Sequence, residues 1–282
     1  MTPPTWLTVI AWIWLGLAFI CSGVILVDIL LRGHRQQMAV MDAVYPITAL
    51  YLGPFALLLY WRWGRRAARP AAVSGRTSSA AIVHEIAAVP EIAIAFAGPR
   101  GPGQDGLGVH RDMVHAAGLE RPRGSAQPVV AEKPRWVTIA IEVSHCGSGC
   151  TLGDVIAEWT IYALALTAAG HALFAEYIGD YVLALALGII FQYFAIAPMR
   201  GLGFWEGLKV AARADFISLT FFEIGLFGWM ALMAFVFFPA PHHLMPNSAA
   251  YWFLMQIGMI VGFVTSWPAN VWLLKRGIKV AM

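Results

Sequence analysis

The chain has 282 residues, of which 59% are hydrophobic and only 12% charged, with a mean hydropathy of +0.68. Soluble domains carry roughly 25% charged residues, so this composition excludes an ordinary soluble enzyme and a disordered tail, and three cysteines are too few for a disulfide framework. The net charge of +3 matters less than its distribution, because the placement of Lys and Arg orients a membrane protein.

A membrane-spanning helix needs about 20 mostly apolar residues. Six segments meet that need: Trp6–Leu31, Ala43–Tyr60, Val155–Ala175, Tyr181–Ala197, Phe216–Phe238 and Tyr251–Leu274. The expectation is an all-α integral membrane protein of about six transmembrane helices, two N-terminal and four C-terminal. The first segment has no Lys or Arg before it and no small-residue cleavage pattern after it, so it reads as a retained anchor. Pro46, Pro54 and Pro268 should kink or end their helices. Between the two groups lies a segment rich in Ala, Arg, Gly and Pro, read as a flexible cytoplasmic linker. Its GPRGPGQDG run lacks the strand–turn–helix setting of a phosphate loop, and Ile82, Ile86, Val89, Ala93 and Phe96 are spaced for one face of a short surface helix. The chain thus divides into a two-helix anchor over residues 1–63, a linker over 64–142 and a four-helix membrane domain over 143–282.

Arg62, Arg65, Arg66 and Arg69 crowd the end of the second segment, whereas the connections Glu176–Asp180 and Pro239–Ala250 carry no basic residue. By the positive-inside rule both termini and the linker fall in the cytoplasm of a bacterial inner membrane.

The densest chemical signal is His145-Cys146-Gly-Ser-Gly-Cys150-Thr-Leu-Gly-Asp154-Val-Ile-Ala-Glu158, at the expected mouth of the third span. If continuously helical, Cys146, Cys150, Asp154 and Glu158 follow one another at i, i+4 along one face. If Gly147 and Gly149 unwind it, Thr151 is an N-cap and the cysteines sit in a loop above a positive helix end. Two thiols and an imidazole suit Cu(I) or Zn(II) better than Mg or Ca, so His145, Cys146, Cys150 and Asp154 are the candidate metal ligands. The plainer account is that the glycines serve close helix packing and the cysteines are inert small hydrophobes.

The run from His145 to Met282 resembles a bacterial integral-membrane family, domain of unknown function 4396. The resemblance rests on HCGSGCTLGDVIAEW (His145–Trp159), FQYFAIAPMRGLG (Phe191–Gly203), ADFISLTFFEIG (Ala214–Gly225) and the block from Trp252 to Met282. It implies a four-helix membrane unit and little chemistry. Val280, after Gly277-Ile278-Lys279, stands where the family's ending carries an acid.

Glu158, Gln192 and Glu223 should lie about 7–12 Å inside the hydrocarbon and form a polar pocket beneath the cysteines. The alternative for Glu223 is a protonated side chain bonding a neighbouring helix. An outward group, His171, His242, His243 and Met245, offers imidazole and thioether ligands for loading copper, although short loops often hold histidines without a role. Gly258 and Gly262 form a Gly-x-x-x-Gly face for a close helix contact, within the chain or with a partner copy.

No Ser-His-Asp set, P-loop, dinucleotide fingerprint or H-E-x-x-H stands in the sequence, and no basic–aromatic pattern points to nucleic acid. The leading expectation is a membrane protein handling a soft metal ion, copper before zinc, in transport or in delivery to a membrane metalloenzyme. The alternatives are a non-catalytic accessory subunit of a larger membrane complex and a proton- or cation-coupled transporter using Glu223.

Overall fold

The computed structural model describes residues 3–36, 38–65, 133–201 and 203–279, without the side chains of 196–200. The linker's GPRGPGQDG run and the short surface helix near Ile82 lie outside the described residues. In chain order the helices are α1 (Thr5–Leu30), α2 (Met41–Leu52), α3 (Pro54–Leu59) with a π-helical turn Tyr60–Gly64, α4 (Arg135–Leu164), α5 (Ala172–Arg200), α6 (Phe204–Leu232) with a π-helical turn Met233–Phe237, and α7 (Ala249–Lys275). The described residues form an all-helical fold without a strand. Four stretches, Thr5–Leu30, Ala172–Ala195, Phe204–Phe237 and Ala249–Lys275, are long and apolar enough to cross a membrane.

Helix α1 shows how the fold meets an apolar surrounding. Leu7, Ala11, Leu15, Ala18, Ile25 and Ile29 recur every three or four residues or a multiple of that and are buried, while Trp6, Trp12, Ile13, Phe19 and Ile20 are each at least 64% exposed. A contiguous exposed apolar face of this size is unfavourable in water and suited to lipid.

The second predicted span is not one helix. Run straight, Tyr45 and Gly64 would stand about 28 Å apart. Instead a Cβ on Gly64 would meet the Tyr45 ring at 2.7 Å, and the Tyr45 and Tyr60 rings are 5.3 Å apart. Segment 41–64 therefore enters the bundle and returns to the same end. The turn is at Gly53 (φ 55, ψ −127), which Pro54 follows as the first residue of α3. A side chain resists that backbone region by at least about 1–2 kcal/mol, so Gly53→Ala is expected to lower the unfolding temperature in detergent, and an unchanged temperature would contradict the turn. The Leu50 carbonyl, left open by the break, accepts a hydrogen bond from Gln256 Nε2 of α7. Interrupted helices persist at such depth when protein groups satisfy the freed backbone. Hydropathy counts apolar residues without their direction, which is why Ala43–Tyr60 looked like a crossing.

The third span also moves. It is predicted at Val155–Ala175 but forms as Arg135–Leu164, closed by Ala165 in the left-handed region at φ 50. From Val137 to Asp154 α4 is buried on nearly every side. A helix shielded from lipid by its neighbours can carry polar residues, and these draw the hydropathy maximum toward Val155. Helices α5 and α6 likewise begin earlier than the predicted Tyr181 and Phe216. Contact between α4 and α5 is backbone to backbone: a Cβ on Gly149 would lie 2.8 Å from Gly188 Cα, and one on Gly153 2.5 Å from the Ala184 nitrogen. Small residues four apart on both helices allow this approach.

The two ends of the bundle differ in chemistry. At one, Trp159 of α4 stacks on Trp252 of α7 at 6.2 Å, Asn247 donates to Tyr162 at 2.9 Å, and Trp12 and Leu15 of α1 share a cleft with Pro246 and Trp252. This is the histidine end, since His171, His242 and His243 lie in its connections. At the other, Asp28 of α1 accepts from Arg65 Nε at 2.9 Å, Arg65 Nη2 at 3.0 Å and the Tyr60 hydroxyl at 2.9 Å, and Trp63 meets Trp136 with ring centroids 4.9 Å apart. This is the basic end. Helix α1 thus runs parallel to α7 and antiparallel to α4. The described N-terminal residues and Lys279 lie at opposite ends, contrary to the expectation that both termini share a side.

Candidate functional site: a buried polar row

At the histidine end a cavity of about 410 Å³ is lined by His171, Glu176, His243, Tyr251 and four methionines, Met230, Met233, Met245 and Met255. Three of the four outward residues singled out from sequence, His171, His243 and Met245, meet here. His242 is not in the lining, and its backbone N–H donates to the Pro239 carbonyl at 2.9 Å.

Tyr251, in the wall of the cavity, also faces Glu158 of α4, which faces Asp180 of α5. One turn along α4, Asp154 neighbours Glu158 and Glu223 of α6. Glu223 faces the Cys150 thiol, Cys150 faces Cys146, and Cys146 faces Asp215 of α6. Lys279 Nζ then lies 3.8 Å from Asp215 Oδ1 and donates to Asn270 Oδ1 at 3.0 Å. From Glu158 to Cys146 the row follows α4 for about 18 Å. Continuous helix is the cause: residues 146, 150, 154 and 158 share one face, as the helical alternative requires.

All of these side chains from Glu158 to Lys279 are buried. No carboxylate oxygen of Asp154, Glu158, Asp180 or Glu223 accepts a hydrogen bond of ordinary geometry, and no ion pair among the described residues includes these four acids. An ionised carboxylate in such surroundings costs several kcal/mol without a partner. The re-entrant hairpin walls the thiols. The Tyr51 hydroxyl would lie 2.8 Å from a Cβ on Gly147, and Thr48 Oγ1 is 3.4 Å from Ser148 Oγ.

Several expected groupings change. The cysteines are midway along a helix, neither at a mouth nor above a helix start. His145 points away from the Cys146–Cys150 face, with its ring centroid 6.3 Å from that of Phe191. Gln192 is buried but stands 12 residues along α5 from Asp180, about 18 Å, so it does not join Glu158. Among the described residues no three of His, Cys, Asp and Glu converge as a metal-holding group, so the ligand types are strung along a line. The Gly258/Gly262 face is covered within the chain: Cβ atoms there would meet Leu226 Cδ1 at 2.7 Å and the Phe222 carbonyl oxygen at 2.7 Å.

Sequence reasoning missed Asp180 by assigning Glu176–Asp180 to a connection. The signal was available: the two acids are four residues apart and lead directly into an apolar run, so one helix places both on one side. Asp215, read from sequence as a solvated or paired end near the interface, is buried, as is Lys279, and nothing local to either marks it as buried.

No curated protein and no solved structure matches the chain. A family model, domain of unknown function (DUF4396), matches residues 135–279, a stretch that contains α4 to α7 and every member of the row from Tyr251 to Lys279. The chain belongs to that family.

Proposed function

We propose that the protein moves a transition-metal cation across the bacterial inner membrane along this row. The observation that carries the reading is the set of four buried carboxylates, Asp154, Glu158, Asp180 and Glu223, without a cationic partner among the described residues and adjoining a cavity of imidazoles and thioethers. Buried charges are held by partners, protons or ions. A row of separate ligands suits a cargo passed from place to place better than a resident ion fixed in one cage.

Five long helices, α1 and α4 to α7, would span the bilayer, and the hairpin of α2 and α3 would enter and leave at one face. Arg32, Arg35, Arg65, Arg135 and Lys275 gather at one end, and the connections 165–171 and 238–248 carry no basic residue. That asymmetry supports a cytoplasmic basic end. Carboxylates outnumber thiols in the middle of the row, which favours Zn(II) over Cu(I). The methionines of the cavity support copper as the competing cargo, because thioethers bind Cu(I) well.

The test is uptake of zinc, and in parallel of Cu(I), into vesicles containing the purified full chain. Zinc is expected to enter faster than into protein-free vesicles, and Cys146→Ser with Cys150→Ser to slow it severalfold. Entry of both metals at the protein-free rate would overturn the transport reading, and a stable partner recovered on gentle extraction would then favour the accessory-subunit reading.

A further inference from the structure

Helix α4 has a second working face. Cys146, Cys150, Asp154 and Glu158 follow one line along it, and Thr151, Val155 and Trp159 follow another, turned by about 100°. This second line forms one wall of a cleft of about 390 Å³, which Trp12 and Phe19 of α1 and Trp252 and Gln256 of α7 complete. The rim is exposed, with Trp12 at 67%, Phe19 at 64% and Trp159 at 44%. The cleft therefore opens on the apolar outside of the bundle, where a guest dissolved in lipid reaches it. Its donors are already engaged with backbone carbonyls. Thr151 Oγ1 donates to Gly147 at 2.7 Å, Trp252 Nε1 to Pro246 at 2.6 Å, and Gln256 Nε2 to Leu50. That last bond fixes the amide, since the flipped form would set two oxygens against each other. Gln256 Oε1 is thus left as an acceptor without an ordinary hydrogen bond, on a side chain only 8% exposed. A buried acceptor left open is costly, and a guest that donates to it removes the cost.

We propose that this cleft binds a lipid-soluble hydroquinone, with its ring among the indoles of Trp12, Trp159 and Trp252 and a hydroxyl donating to Gln256 Oε1. Size and lining agree with a small-molecule site, mostly apolar with a polar group to fix orientation. The aromatic walls favour a flat ring over a saturated chain, because ring pairs gain energy beyond the area they bury. Hydrogen-bond accounting then selects among rings. A hydroquinone carries hydroxyl donors, whereas the oxidised quinone carries only acceptors and would set a carbonyl against Oε1. An acyl chain would fill the space and leave the acceptor open. The hydroquinone's tail leaves past Trp12 and Phe19 into the surrounding lipid. Binding requires no metal and is independent of the transport reading.

Thermal unfolding of the full chain in detergent decides it, with decylhydroquinone, kept reduced by ascorbate under argon, as the probe. A ligand of the folded state raises the unfolding temperature as its concentration rises, and decylhydroquinone is expected to do so. Decylbenzoquinone and the dimethyl ether of the probe share its ring and tail but lack the donor. Each should need about tenfold more for the same shift, the factor that loss of one such hydrogen bond implies. Val155→Trp fills the cleft and leaves the Gln256 amide in place, so it should abolish the shift. Gln256→Met removes the acceptor and should abolish the preference for the donor-bearing probe. Both variants are checked for helical content and a single gel-filtration peak. No shift with decylhydroquinone, equal shifts for it and its ether in the wild type, or an undiminished shift in folded Val155→Trp overturns the proposal. The wild-type comparison stands even if neither variant folds.

Discussion

Glu223→Gln is expected to reduce zinc uptake into vesicles at least tenfold while leaving the unfolding temperature equal or higher. Glu223 stands where the row passes from carboxylates to thiols, facing Cys150 and neighbouring Asp154. At an effective dielectric near 20, a unit charge about 5 Å from another contributes roughly 3 kcal/mol. Loss of even half of that along the path is about a factor of ten, since 1.4 kcal/mol corresponds to tenfold. Stability should move the other way. Replacing a buried, poorly partnered carboxylate by a neutral group of the same shape removes a desolvation penalty and is often neutral or stabilising. The two readouts separate function from helix glue. If Glu223 only bonded a neighbouring helix, Gln would preserve that role and uptake would not change, and Glu223→Leu would lose stability by an amount typical of intramembrane hydrogen bonds, about 0.6 kcal/mol. A normal uptake rate in Glu223→Gln would remove this residue from the path.

The outer helices were the legible part of the fold. Helix α1 was predicted at Trp6–Leu31 and forms at Thr5–Leu30, and α7 was predicted at Tyr251–Leu274 and forms at Ala249–Lys275. Both expose apolar residues on the outside of the bundle, so hydropathy measures what positions them. Helix α4 was misplaced for the converse reason. Its residues answer to other helices, and Glu142, Ser144, His145, Ser148, Thr151 and Asp154 are all buried there. The hairpin was hidden because a buried re-entrant pair is as apolar as a crossing helix, and the dipeptide Gly53-Pro54 was its only local mark.

The candidate site was half legible. The i, i+4 series from Cys146 to Glu158 follows from helix periodicity alone, and the structure realises it. Which residues complete the series depends on how α5, α6 and α7 are shifted along their axes, and that is set by contacts far apart in sequence. Asp180 reaches Glu158 because Gly153 sits on Ala184 and Gly149 on Gly188. Asp215 reaches Cys146 because Gly188 has no side chain, since a Cβ there would collide with Asp215 Oδ2. Such pairings leave no trace in any one segment.

Those glycines carry the second large effect. Gly153→Leu is expected to prevent recovery of a folded, monodisperse chain, and Gly153→Ala to lower stability by about 1–3 kcal/mol, the usual range for overpacking. The added atom in the alanine variant would stand 2.5 Å from the Ala184 nitrogen and 2.8 Å from its Cα, and both are backbone atoms that no rotamer change can move. Helices α4 and α5 must therefore separate along their whole contact. Because that contact also sets Glu158 beside Asp180, the alanine variant should transport zinc more slowly even at temperatures where it is folded. Gly16 and Gly23 of α1, with nothing within 4 Å of an added Cβ, supply the control. There alanine should be neutral or should stabilise by up to about 1 kcal/mol, the difference in helix propensity. Thermal unfolding of the three alanine variants in one detergent measures all of this. Equal unfolding temperatures for Gly153→Ala and Gly16→Ala would mean that the close α4–α5 approach is not what aligns the row.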